Sequence, residues 1–108
     1  MATKPAQQVF EQLLIEDNKI LKQLKVGEKD HKKILDNYAL RVNLYKDFAN
    51  RQDDPIIKAI IEAKKSVVMS DMGLLSAQYE IQYTIAKINL RLEELEKNTY
   101  HNQVQKSS

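Results

Sequence analysis

The sequence predicts an all-α protein, an antiparallel three-helix bundle whose third helix is long. Three observations carry that expectation. Pro55 to Lys97 is a run of 43 residues with no second proline and a single glycine, and apolar residues recur through it at helical spacing. Two glycines and two prolines in 108 residues leave few turn formers for a β-rich chain. Apolar residues at 43% and charged residues at 30% suit a folded helical chain rather than a disordered one. A length of 108 residues fits one domain. That domain is expected over residues 1–97, with a polar, disordered tail over 98–108.

The first helix is expected to start near Pro5, because proline lacks the N–H that would go unpaired at the first helical position. Val9, Phe10, Leu13, Leu14, Ile20, Leu21 and Leu24 share a face. Asp17 and Asn18 interrupt that face, and one of them is expected at the rim of the core, since an unpaired buried carboxylate is costly. Gly27 to Lys33 holds no apolar residue and is the expected turn.

The second helix is expected over about Lys32 to Asn50. Leu35, Tyr38, Val42, Tyr45 and Ala49 follow a 3, 4, 3, 4 spacing, the period of a coiled-coil seam. Ile34, Leu44 and Phe48 widen it. Asp53-Asp54-Pro55 then supplies a capping side chain followed by proline at the first helical position.

The third helix carries two apolar stripes. One holds Ile61, Val68, Met72, Leu75 and Tyr79, continued by Tyr83, Ala86 and Leu90. The other holds Ile57, Ile60, Val67 and Leu74, then Ile81, Ile85, Ile88, Leu92 and Leu95. A helix over the whole run would be roughly 64 Å long at 1.5 Å per residue, and needs partners along its length. A bend is expected near Ser70-Asp71-Met72-Gly73. A full break at Gly73 would give the alternative, a four-helix up-down bundle.

Composition narrows the function. The chain has no cysteine, which removes disulfides, thiolate metal sites and a thiol nucleophile. It contains no apolar run of the roughly 20 residues a membrane span requires, and Met1 to Gln8 is polar, unlike a signal peptide. A cytoplasmic protein is the expectation. No phosphate loop, nucleophile elbow or zinc-protease helix motif occurs, so the chain is expected not to be an enzyme and to hold no cofactor or metal. Glu28 and His31 have the Glu-x-x-His spacing of bundle metal sites, but a second copy of the motif is missing. The helix–Asp53-Asp54-Pro55–helix layout resembles small helical hairpins exported by bacterial secretion systems. That resemblance covers the turn and its flanks, and no residue role is carried over from it.

Two surfaces remain. The favoured one is apolar, a partner interface of Leu75, Tyr79, Ile81, Tyr83, Ile85, Ile88, Leu92 and Leu95, with Tyr38 and Tyr45 as further anchors. Tyrosine buries its ring while keeping its hydroxyl wet, which suits an interface. Its expected occupant is a protein, above all a second copy of the chain in a dimer or higher oligomer. The alternative is a basic segment of Lys19, Lys22, Lys25, Lys29, Lys32 and Lys33, which could meet nucleic acid or an anionic surface. It contains no arginine and no aromatic for base readout or stacking. The function expected from the sequence is therefore a non-enzymatic helical protein–protein interaction module: an adaptor, assembly factor, small chaperone or structural subunit.

Overall fold

The computed structural model describes residues 5–107; Met1–Lys4, part of the polar N-terminal segment, and Ser108 lie outside them. Three helices follow one another: α1 (Pro5–Leu21), α2 (His31–Asn50) and α3 (Pro55–Ser107). Among the described residues there is no strand. The fold is the expected three-helix bundle. The chain divides into two units, Met1–Leu75 and Ser76–Ser108.

In the first unit, α1 and α2 run antiparallel. Asp17 meets Arg41 and Tyr45 while Ile20 meets Asn37, so contacts advance on one helix as they retreat on the other. Each helix end has a local cause. After Leu21 the backbone tightens through bonds from Gln23 N–H to Ile20 O (3.0 Å) and from Leu24 N–H to Leu21 O (3.2 Å), which satisfy carbonyls the helix leaves open. Gly27 then adopts φ +77, a left-handed conformation that side chains with a Cβ rarely tolerate. Asp30 caps α2, its carboxylate accepting from the N–H groups of Lys32 (3.0 Å) and Lys33 (3.4 Å). At the next junction Asp54 accepts from Ile56 N–H at 2.8 Å, and Pro55 opens α3. The Asp-Asp-Pro stop–start signal therefore works as the sequence predicts.

The core is small and drawn from all three helices. Leu13 of α1, Tyr45, Phe48 and Ala49 of α2, and Ile61 and Val68 of α3 are buried. Val9, Phe10, Tyr38, Val42, Leu44 and Ile57 pack around them. The first stripe of α3 supplies the buried pair, Ile61 and Val68. The second stripe stays in solvent in this unit beyond Ile57, with Ile60 41%, Val67 61% and Leu74 72% exposed.

Of the two polar residues that interrupt the α1 face, Asn18 is exposed and Asp17 is buried at 4% exposure, where α2 brings it a cation and a hydroxyl. Gly73 does not break α3, so the third helix is long as expected and the four-helix alternative does not form; one glycine costs only about 1 kcal/mol in a helix, and its neighbours are helix-compatible. α3 continues to Ser107; nothing after Gly73 in the sequence is a proline or glycine that would stop it.

Candidate functional site: an exposed heptad seam

The second unit is a single stretch of α3. Every residue from Glu80 to Thr99 is exposed. Within it Ile81 (60%), Ile85 (52%), Ile88 (53%), Leu92 (51%) and Leu95 (45%) remain open to solvent. Their 4, 3, 4, 3 spacing places them on one helical face as d, a, d, a, d of a heptad. Tyr83, at 67%, and Leu90, at 58%, fall on the opposite face at f positions, where the Lys87 ammonium stands over the Tyr83 ring at 5.4 Å. A shallow depression of about 320 Å³ lies beside Ile81 and Ile85, lined also by Ala77, Glu80 and Thr84.

The other residues expected at the interface are placed differently. Tyr79 and Leu75 are half-buried. Tyr38 is half-buried with the Arg41 guanidinium 5.5 Å from its ring centroid. Tyr45 is turned into the core of the first unit at 8% exposure. Its ring and hydroxyl are used by the chain's own fold.

Tyr45 belongs to a polar cluster that sequence reasoning missed. Arg41 grips Asp17 with two donors, Nε to Oδ1 at 2.7 Å and Nη2 to Oδ2 at 3.2 Å. The Tyr45 hydroxyl donates to Asp17 Oδ2 at 2.8 Å. Burial, followed by the hydrogen bond to Asp17, pushes the Tyr45 phenol up from its ordinary pKa, with Arg41 opposing. The hydrogen bond to Asp17 holds the Arg41 guanidinium above its ordinary value. Nearby, buried Asn37 donates from Nδ2 to Ile20 O at 2.7 Å, closing a carbonyl in the last turn of α1. No described buried side-chain polar atom is left without a partner. Such a saturated arrangement rigidifies the core and fixes helix register.

The basic segment is dispersed. Lys19 lies on α1, Lys22, Lys25 and Lys29 in the loop, and Lys32 and Lys33 in the first turn of α2. All six are exposed. The alignment of lysines 22, 25, 29 and 32 along one helical face does not form, because α1 stops at Leu21. Glu28 and His31 also part company, one in the loop and one at the start of α2.

A groove of about 560 Å³ in the first unit is lined by Phe10, Leu13 and Leu14 of α1, with Tyr45 and Lys64. Among the described residues no helix is long and apolar enough to cross a membrane. Comparison with protein-family models, with curated proteins and with solved structures finds no match for this chain.

Proposed function

We propose that the chain is a non-enzymatic helical protein–protein interaction module that self-associates through the seam Ile81, Ile85, Ile88, Leu92 and Leu95. One observation carries this reading: five large aliphatic side chains at heptad spacing are each 45–60% exposed in the isolated chain. Full burial of each is worth about 1.5–3 kcal/mol relative to exposure. Contiguous apolar faces of this kind mark association sites.

Sedimentation across a range of concentrations tests it. The unaltered chain should sediment with more than one copy. The triple change Ile85→Gln, Ile88→Gln, Leu92→Gln should give a monomer whose first unit stays folded. Charge reversal at Lys22, Lys25, Lys29 and Lys32 should leave the mass unchanged. A single-copy mass for the unaltered chain at every concentration would overturn the reading.

A further inference from the structure

From the seam and the charges beside it we infer that the partner is a second copy of this chain, set parallel and in register with the first in a coiled coil over about Gln78 to Thr99. The inference rests on the self-association reading and adds to it an orientation and a register.

With Ile81, Ile88 and Leu95 at d and Gln78, Ile85 and Leu92 at a, Arg91 falls at g and Glu96 at e. In a parallel pair each g residue faces the e residue five positions on in the other strand. Arg91 of one copy then meets Glu96 of its neighbour, and symmetry repeats the pair at each strand contact. The remaining flanks, Ala77 against Gln82 and Thr84 against Asn89, bring no like charges together. An antiparallel pair sets g against g and e against e. The g positions from 77 to 98 hold no acid, and the e positions from 75 to 96 hold no base, so that arrangement leaves Arg91 and Glu96 without opposite charges. Within one chain Arg91 reaches only Glu94, at 3.4 Å with both side chains largely exposed, a contact of little worth.

The a positions also bound the seam. Asp71 and Lys64 occupy the two a positions before Gln78, and in-register pairing would set like charge on like there. Pairing therefore begins at Gln78. Its amide can bond to the same amide of the partner, as polar a residues do when they fix register.

The absence of cysteine makes the test direct. In the full chain, Leu95→Cys should form an interchain disulfide under mild oxidation while the sedimented mass stays that of the unaltered oligomer. In an antiparallel pair centred on Ile85 and Ile88, the two introduced thiols would be roughly 25 Å apart, and no bridge could form. An oligomer that does not cross-link overturns the parallel register while leaving self-association standing; a monomer overturns both. As a second arm, Arg91→Glu should weaken self-association about tenfold at low salt, because each attraction becomes a repulsion. Adding Glu96→Arg should restore it to within about threefold. A charge swap that fails to restore pairing also overturns the inference.

Discussion

Asp17 shows how a residue that looks misplaced in a sequence can be well placed in a fold. It occupies the core-facing line of α1 between Leu13 and Ile20, and α2 presents Arg41 and Tyr45 to it. Breaking a buried ion pair from one side strands a charge and typically costs about 3–5 kcal/mol. Arg41→Met should therefore destabilise the first unit by about 3 kcal/mol in a denaturant titration. The joint replacement Asp17→Leu, Arg41→Met, Tyr45→Phe should lie much closer to the unaltered protein, since nothing charged is then left buried. Tyr45 also predicts a pH dependence. Its folded pKa is raised, so the stability it contributes is complete below about pH 10, the ordinary phenol value, and is lost as pH rises through the folded value. Tyr45→Phe should cost about 1–2 kcal/mol at neutral pH. The stability gap between the two proteins should narrow as pH rises past 10; a gap constant from pH 8 to 11 would contradict this. The sequence contained the signal, an acid in one apolar stripe and an arginine beside the next, but periodicity read one helix at a time cannot pair them.

At the scale of elements, the junction between α2 and α3 was the most legible part of the chain, whereas α1 ends at Leu21, before the expected turn. Pro55 after two aspartates, and Gly27 at a gap in the apolar pattern, act through backbone geometry that is local and needs no tertiary context. Asp54→Ala should remove the bond to Ile56 N–H and cost about 1 kcal/mol, read as a lower thermal midpoint. Gly73 was harder to read, because the penalty of one helical glycine is small beside the cost of ending a helix. A Cβ at Gly73 would meet nothing within 4 Å, so Gly73→Ala should stabilise by about 0.5–1 kcal/mol and raise the midpoint by a few degrees. A fall in the midpoint would mean that the glycine serves a contact. The two stripes of α3 were legible as stripes. Which one packs within the chain was not, because both are apolar and the choice depends on where α1 and α2 lie. The structure assigns Ile61 and Val68 to the core and leaves the d-position aliphatics of both units in solvent.

For the molecule as a whole, the two units draw stability from different sources. The first has a core shared by three helices and a saturated polar cluster. The second has no buried residue between Glu80 and Thr99, so nothing there but its own backbone bonds and local side-chain pairs supports the helix. Most helical stability in proteins comes from packing an apolar face rather than from intrinsic propensity. The C-terminal half of α3 should therefore acquire its order in the act of meeting its twin. Diluting the protein should lower its helical circular dichroism in step with the loss of the oligomer, and amide exchange over residues 80–99 should quicken while the core of α1 and α2 stays protected. A chain that associates as proposed would carry a gauge of its own abundance: scarce copies would present a loosened strand open to proteolysis, and plentiful ones a closed seam.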